Sequence, residues 1–258
     1  MNAESVDRME LDQGLVDYLA QYITPHKRAA IERVLSQRTR FFTVVLEDIF
    51  KPHNASAVLR TCDCFGIQDI HLIEKTDAYK INPFVTRGAS QWVDLHKYFT
   101  PGGSAVDPCF AALRQKGYKI YGTSPATDSL SIHDLPLSPD QKVALVFGNE
   151  HEGISEEVKT KVDGLVHIPM KGFTESFNIS VSASIFLYEL IKRASEFESP
   201  NFHISEEERS ELRLKWYKDI VPHADIHEKH FRKQTQNLGI WHLQIQVLSF
   251  KTKKKILV

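Results

Sequence analysis

The chain has 258 residues, of which 42% are hydrophobic and 25% are charged, and its formal net charge is −1. This composition is typical of a soluble protein with a sizeable core, built as one domain with extensions or as two small domains. Because the net charge is close to zero, any surface that attracts nucleic acid has to be a local cluster of basic residues.

Targeting and metal-binding signals are weak. No apolar run reaches the roughly 20 residues that span a bilayer, and residues 1–8 are polar with no apolar segment behind them. We therefore expect a cytoplasmic protein. The three cysteines match no disulfide framework or zinc pattern. Cys62 and Cys64 are predicted to point to different faces of a helix, as small packing residues, so no metal is expected.

The first 40 residues predict two helices. Apolar positions recur at helical spacing over residues 10–22, and Thr24-Pro25 marks the start of a second helix that continues to Leu35. Positive charge gathers in and just after this second helix. Its members are Lys27, Arg28, Arg33, Arg38 and Arg40. They form either a solvated helix face or a surface for phosphates.

From Phe41 onward, predicted strands alternate with predicted helices. The strands are 42–46, 69–73, 92–95, 118–122, 143–147 and 165–168, and the helices are 54–65, 107–116, 154–162 and 178–194. Such alternation predicts an α/β fold, a mainly parallel sheet with helices on both faces. After an acidic stretch, two more helices are predicted, one through Ile220 and one over 224–238, followed by a tail at 241–258. We therefore expect three parts, residues 1–40, 41–195 and 196–258.

A first polar motif, Lys51 to Thr61, follows the first strand of this unit. Asn54 is predicted to cap the helix, and Arg60 to lie on its polar side with Ser56. One interpretation is a capped amphipathic helix with an exposed arginine. The other places Asn54 and Arg60 in a cleft at the carboxyl edge of the sheet, where open α/β sheets bind ligands.

A second motif, Gly148-Asn-Glu-His-Glu-Gly153, directly follows an apolar strand. Its two glycines permit positive φ angles and close approach of the backbone. The motif is not a phosphate-binding glycine loop, because it has neither G-x-G-x-x-G nor Lys-Ser/Thr. A simple turn between strand and helix explains it equally well.

The third motif ends a strand at Ile168-Pro169-Met170 and then opens an apolar helix with Ser176-Phe-Asn-Ile-Ser180. These small polar residues can be helix caps and close-packing sites. They can also offer hydroxyl and amide groups to a ligand.

In order, spacing and residue types, the three motifs together resemble those of the SPOUT superfamily, in particular the TrmH (SpoU) family of RNA ribose 2′-O-methyltransferases. The resemblance covers roughly residues 25–240, including the two C-terminal helices, which are similar to those of the tRNA-specific members. It implies a deep C-terminal trefoil knot, flanking N- and C-terminal helices and a homodimer. The knot is implied by the resemblance alone.

The resemblance also implies a cofactor, S-adenosylmethionine, and positions for the site. The cofactor would be held by the backbone at Thr123, Gly148, Ile168 and Phe177, where leucine is common in place of Phe177. The active site would comprise Asn54, Arg60, Glu150, Ser176, Asn178 and Ser180. Arg60 matches the arginine with the central catalytic role, and Glu150 and Asn54 would hold it in place. Because a guanidinium gives up its proton reluctantly, we expect Arg60 to orient the ribose and stabilise the developing oxyanion.

The implied reaction is methylation of a ribose 2′-hydroxyl in tRNA, at the D-loop guanosine of position 18. RNA would be contacted by the N-terminal cluster Lys27, Arg28, Arg33, Arg38 and Arg40 and by Lys229, Arg232 and Lys233 of the last helix. One alternative is the same reaction on ribosomal RNA, against which the short segment before the first strand argues. Another is a non-catalytic RNA-binding or assembly factor, against which the intact polar set argues.

Overall fold

The computed structural model describes residues 3–49, 51–74, 88–125, 129–197 and 202–235, with side chains from residue 11 onward. The described residues between 36 and 205 form one compact unit, and the described residues of the two ends, 3–35 and 206–235, form another. The sequence predicted the two ends of the chain as separate extensions, bounded at residues 40 and 195. The structure places both ends in one unit, because helices from each end pack on one another.

The described part of residues 36–205 contains one parallel sheet of seven strands. The strands are β1 (Phe42–Glu47), β2 (Asp69–Glu74), β3 (Asp94–Phe99), β4 (Tyr118–Thr123), β5 (Leu130–Ser131), β6 (Lys142–Phe147) and β7 (Gly164–His167). Their order is β3-β2-β1-β6-β4-β7-β5, and each neighbouring pair is parallel. The α/β fold with a parallel sheet is confirmed.

Helices of the described residues flank this sheet or form the second unit. They are α1 (Ala3–Ala20), α2 (Pro25–Leu35), α3 (Pro52–Cys64), α4 (Val106–Gln115), α5 (Glu156–Lys161), α6 (Ile179–Ala194), α7 (Glu206–Ile220) and α8 (224–235). Two 3₁₀ turns, Ala89–Gln91 and Ile132–Asp134, precede β3 and follow β5. No described helix is both long enough and apolar enough to cross a membrane.

Both faces of the sheet are covered because its central strands are apolar on both sides. Every residue of β1 is buried. Val44 packs in a core that contains α3 and α6, whereas its neighbour Val45 packs in a second core with α4 and α5. This alternation follows from the two-residue period of a strand. The prediction of helices on both faces is therefore confirmed.

The helical unit has its own core. Leu15 and Leu19 of α1, Leu35 of α2 and Trp216 of α7 are fully buried or nearly so. Arg213 of α7 donates from Nε and an Nη to the two carboxylate oxygens of Glu32 at 2.7 and 2.8 Å. This forked geometry fixes the register of α7 on α2, because a guanidinium and a carboxylate match at two points.

Most predicted elements lie where the sequence placed them, and their ends differ by a few residues. Strand β3 continues to Phe99, beyond the predicted end at residue 95, and the short β5 was not predicted. The last predicted helix is described as far as residue 235. Its final residues 236–238 and the predicted tail at 241–258 lie outside the described residues.

Candidate active site

The three polar motifs follow strands whose carboxyl ends lie at one edge of the sheet. Motif 1 follows β1, motif 2 follows the adjacent β6, and motif 3 follows β7. The chain from β1 leads to β2 on one side, while β6 and β4 lie on the other side. Open α/β sheets bind ligands at such a change of direction, outside the carboxyl ends of the strands.

The helix of motif 1 begins earlier than the sequence predicted. Pro52 is its first residue, and Lys51 stands at the cap position without a side-chain cap bond. Proline suits the first helical turn because its φ angle is already helical and it has no N–H to satisfy. The prediction of Asn54 as the cap is therefore wrong. Asn54 lies inside the first turn and is 3% exposed.

Asn54 instead joins the three motifs. Its Nδ2 donates a hydrogen bond to Oε1 of Glu150 in motif 2. Its Oδ1 accepts a hydrogen bond from Nδ2 of Asn178 in motif 3, at 3.2 Å. Glu150 is 96 positions and Asn178 is 124 positions from Asn54 in sequence, and both bond to its buried amide. Both ends of the amide are used, so its orientation is fixed.

Asn178 both belongs to this network and caps α6. Its Oδ1 accepts from the backbone N–H of Ser180 at 2.9 Å and from the Ser180 hydroxyl at 2.6 Å. The hydroxyl of Ser184, one turn further along, donates to the Ser180 carbonyl at 2.8 Å. The polar start of α6 is therefore a set of caps that also presents its amide to Asn54.

Motif 2 is a closed turn. Asn149 and Gly153 exchange backbone hydrogen bonds at 3.0 and 3.1 Å, and the Asn149 side chain accepts from the N–H of His151 and of Glu152 at 2.9 and 2.7 Å. A Cβ on Gly148 would lie 1.9 Å from the carbonyl carbon of Gly153. Only glycine fits there, so the turn and the position of Glu150 depend on it.

Only one oxygen of the Glu150 carboxylate has a hydrogen-bond partner in the described structure. Its Oε1 accepts from Asn54, whereas its Oε2 is buried and has no hydrogen-bond partner among the described residues. A buried carboxylate oxygen without a donor is unfavourable. This oxygen can therefore accept a hydrogen bond from a ligand hydroxyl or attract a positively charged group of a ligand.

Arg60 lies nearly two turns beyond Asn54 on α3 and is exposed. It lines a cleft of about 810 Å³ between α3 and α6, together with Ser180, Ser184 and Tyr188. We find no hydrogen bond between Arg60 and either Asn54 or Glu150 in the described structure; these two residues bond each other. That Asn54 and Glu150 hold Arg60 in place stays a prediction, with no direct hydrogen bond among the described residues to support it. Ser56, expected beside Arg60 on the polar face, is fully buried.

The sequence is similar to those of known RNA methyltransferases. The model of the SpoU rRNA Methylase family matches residues 42–188. A tRNA (guanosine(18)-2′-O)-methyltransferase of Borreliella burgdorferi is 42% identical over 206 residues, which are 80% of this chain and 91% of that protein. The chain belongs to the SpoU methylase family. The resemblance seen in the three motifs is confirmed.

Two further relatives support this membership. The enzyme of the same name from Thermus thermophilus is 34% identical over 166 residues, covering 64% of this chain and 82% of its own length. The crystal structure of an A. aeolicus TrmH/SpoU tRNA modifying enzyme superposes with a TM-score of 0.65 at 28% identity. That alignment covers 76% of this chain and 98% of the other.

The residues expected to hold the cofactor of a SpoU methylase fall at the ends of three neighbouring strands. Thr123 ends β4 and donates from its hydroxyl to the Val146 carbonyl at 3.0 Å. Gly148 follows β6, and Ile168 follows β7 and packs against the core. Phe177 is 42% exposed. Since β6, β4 and β7 are adjacent, the first three lie along one edge.

The loop that leads into α6 is open to solvent. All residues from Lys171 to Asn178 are exposed, and this stretch includes Ser176. Phe173 of the same loop is fully exposed. Ser176 therefore stands at the surface beside the Asn178 cap, where a ligand could reach it.

Two residues of the predicted N-terminal RNA-binding cluster form ion pairs with aspartates of the sheet unit. Arg38 is 1% exposed, donates to Asp63 at 2.5 Å and lies 3.4 Å from the Ile67 carbonyl. Arg40 pairs with Asp69 and, at 2.9 Å, with Asp94. Burial lowers the pKa of Arg40, but the two carboxylates outweigh burial and raise that pKa above its usual value. Assigning Arg38 and Arg40 to an RNA surface is therefore corrected, because both belong to internal ion pairs.

The other predicted RNA-binding residues lie in the helical unit. Lys27 and Arg33 of α2 and Lys229 and Lys233 of α8 are exposed, while Arg28 is half-buried. Arg232 pairs with Glu228 one turn before it, at 2.7 Å. This pair reduces the positive charge that α8 offers to a polyanion.

One contact near motif 2 was missed from the sequence. Glu47, the last residue of β1, is 3% exposed and accepts a hydrogen bond from the N–H of Ser155 at 2.8 Å. Ser155 is the cap of α5, which follows motif 2. A carboxylate at the end of an apolar strand was the available signal, since charged residues are rarely buried without a partner. Among the described residues, no group of three or more His, Cys, Asp or Glu side chains could hold a metal.

Proposed function

We propose that this chain transfers the methyl group of S-adenosylmethionine to the ribose 2′-hydroxyl of guanosine 18 in tRNA. The observation that carries the proposal is the hydrogen-bonded set Asn54, Glu150 and Asn178, which ties the three motifs together and includes a residue of α3, the helix that also carries Arg60. Membership of the SpoU methylase family and the names of the relatives support the substrate.

The site has features that fit the cofactor. When bound, S-adenosylmethionine supplies an electrophilic methyl group on a positively charged sulfur. The unpartnered Oε2 of Glu150 offers negative charge to such a cation. Backbone groups at Thr123, Gly148 and Ile168, with the Phe177 ring, would hold the adenine and methionine portions. This assignment rests on the three adjacent strand ends and on the tight turn at Gly148.

The chain's own residues divide the work between positioning and electrostatics. Asn54 fixes motif 1 against motifs 2 and 3, and thereby sets where α3 presents Arg60. The guanidinium of Arg60 is exposed in the cleft, where it can donate two hydrogen bonds to the ribose and a phosphate. Its positive charge stabilises the oxyanion that develops as the 2′-hydroxyl attacks. Ser176, Asn178 and Ser180 are proposed to orient the nucleotide.

Three further features expected of the family extend the proposal. A deep trefoil knot is supported by β7, which lies between β4 and β5 in the sheet although β5 precedes it in the chain. A homodimer through α6 is supported by the exposure of Val181 at 44% and Tyr188 at 62% along the α3–α6 cleft. The cytoplasm is the expected compartment, because the proposed substrate is processed there.

The substrate is tested with two synthetic tRNAs that differ in one oxygen atom. One carries guanosine at position 18 and the other carries 2′-deoxyguanosine there. We expect labelled methyl groups from S-adenosylmethionine to enter only the first. Equal labelling of both tRNAs would contradict the assigned atom, and labelling of ribosomal RNA instead would favour the ribosomal alternative. Cofactor binding without transfer to either RNA would favour the non-catalytic alternative.

A further inference from the structure

A second cleft lies in the helical unit, at the elbow between α1 and α2. Its volume is about 400 Å³, toward the lower end of the roughly 300–1,000 Å³ that is usual for ligand pockets. Three side chains of different chemistry line it, the carboxylate of Asp17, the ring of Tyr22 and the guanidinium of Arg28. The proposed methyl transfer uses none of them.

Arg28 lines this cleft and has one hydrogen-bond donor without an acceptor among the described residues. Its side chain is half-buried, and its Nε is buried without a hydrogen-bond acceptor in the part of the chain that the structure describes. A buried charged donor without an acceptor is unfavourable, so such a group is normally satisfied by a ligand or by water. A ligand of this cleft should therefore present acceptor atoms to Arg28.

Tyr22 gives the cleft an aromatic surface that packs against His227. The residue is 50% exposed, and the centroid of its ring lies 4.1 Å from that of His227 on α8. Its hydroxyl lies 3.5 Å from that of Tyr18, which in turn lies 3.2 Å from Nδ1 of His230. Because the ring is supported on one side, its exposed part can receive a flat partner. Unpaired RNA bases are commonly bound by stacking on such rings.

The carboxylate of Asp17 decides which flat partner fits. It is exposed, lines the same cleft and accepts a hydrogen bond from Nε2 of Gln13 at 3.1 Å. Its negative charge disfavours a phosphate group. Guanine carries two neighbouring N–H donors on one edge and the acceptors O6 and N7 on the other, so it can satisfy a carboxylate and an arginine together. Adenine has an acceptor where guanine has its ring N–H.

We propose that the cleft between α1 and α2 binds an unpaired guanine of the RNA substrate, stacked on Tyr22 and bonded by Asp17 and Arg28. The inference rests on the proposed function only in taking RNA as the ligand. It makes this cleft a recognition site that contributes affinity and base preference and takes no part in the chemical step.

The base preference is tested without catalysis. Guanosine 5′-monophosphate and adenosine 5′-monophosphate are titrated into the full chain, and binding is followed by saturation-transfer NMR. We expect the guanine nucleotide to bind at least about fivefold more tightly, in line with the discrimination that paired base-edge contacts provide. An Asp17→Asn variant should lose that preference while keeping its thermal midpoint. Equal binding of the two nucleotides by the wild-type chain, or an unchanged preference in Asp17→Asn, would overturn the proposal.

The contribution to RNA binding is tested by kinetics with tRNA. We expect Tyr22→Ala to raise KM for tRNA at least about fivefold at unchanged kcat, as loss of one base stack predicts. Tyr22→Phe, which keeps the ring, should stay within about twofold of the wild type. An unchanged KM in Tyr22→Ala, or an equal loss in Tyr22→Phe, refutes the stacking role. A wild-type chain that methylates no RNA refutes the proposed function, whereas the nucleotide titration still decides the guanine site.

Discussion

Replacing Gly148 by alanine tests the link between motif 2 and the active site. The added Cβ would lie 1.9 Å from the carbonyl carbon of Gly153 and 2.1 Å from the backbone nitrogen of Ile154. Real Cβ contacts essentially never fall below 3.0 Å. The turn therefore has to open by about 1 Å, the difference between 3.0 and 1.9 Å. No flexible side chain can absorb this shift, because the nearest atoms belong to the backbone.

Opening the turn has two measurable consequences. The paired backbone hydrogen bonds of Asn149 and Gly153 stretch or break, which should lower the free energy of unfolding by about 1–3 kcal/mol at roughly 0.5–1.5 kcal/mol each. Glu150 moves away from Asn54, and a misplacement of about 1 Å in a catalytic site lowers the rate about 100-fold. We expect a loss of that order in methyl transfer to tRNA, with weakened binding of S-adenosylmethionine by calorimetry.

Gly172→Ala is the matched control for adding one methyl group to a loop glycine. The nearest atom to its added Cβ is the backbone nitrogen of Thr174, at 4.0 Å. We expect this control to keep the thermal midpoint of the wild type. If Gly148→Ala retains wild-type stability, cofactor affinity and turnover, the closed turn is not what holds Glu150 in place.

Arg60→Ala and Arg60→Lys should both abolish methyl transfer, the lysine variant because an ammonium lacks the planar fork of a guanidinium. Both should leave the calorimetric affinity for S-adenosylmethionine within a few-fold of the wild type. Near-normal turnover by either variant removes Arg60 from the mechanism. Burial and the charge of His96 lower the pKa of His71 from 6.5 to about 3. The unfolded chain therefore binds a proton at His71 before the folded chain does, and the free energy of unfolding falls as the pH drops from 6.5 toward 3. Urea titrations should show about 2 kcal/mol less stability at pH 5 than at pH 7, and His71→Phe should reduce that difference; an unchanged difference would rule out this origin. Lys27→Ala with Arg33→Ala should weaken tRNA binding and make its log–log salt dependence shallower through lost counterion release; an unchanged slope places the RNA elsewhere.

The sequence predicted the elements of the α/β unit well because their signals are local. The run Phe42 to Leu46 is apolar throughout, as a strand buried on both faces requires. Gly66 follows the C-terminus of α3 with a φ of 75°, and a Cβ there would lie 2.5 Å from the Gln37 carbonyl oxygen. The order of strands in the sheet is not local. Nothing in the sequence places β6 beside β1, so the meeting of the motifs was available only through the family resemblance.

The same limit explains the corrections at charged and polar positions. Arg38 and Arg40 look like part of a basic surface because their partners Asp63, Asp69 and Asp94 lie 25 to 54 residues away in sequence. Charge is visible in a sequence, whereas neutralisation by a distant carboxylate is not. The RNA surface proposed for the N-terminal end therefore reduces to the side chains of α2, and fewer phosphates can be neutralised there than the sequence suggested.

The active-site residues implied by the motifs separate into two physical groups. Asn54, Glu150 and Asn178 are joined by hydrogen bonds and have defined positions before any substrate arrives. Arg60 and Ser176 are exposed at the surface. If the proposed site admits a bulky nucleotide and a second substrate, it cannot bury every polar group in advance. In the proposed mechanism the hydrogen-bonded set positions α3, and the substrates provide the partners of the exposed Arg60.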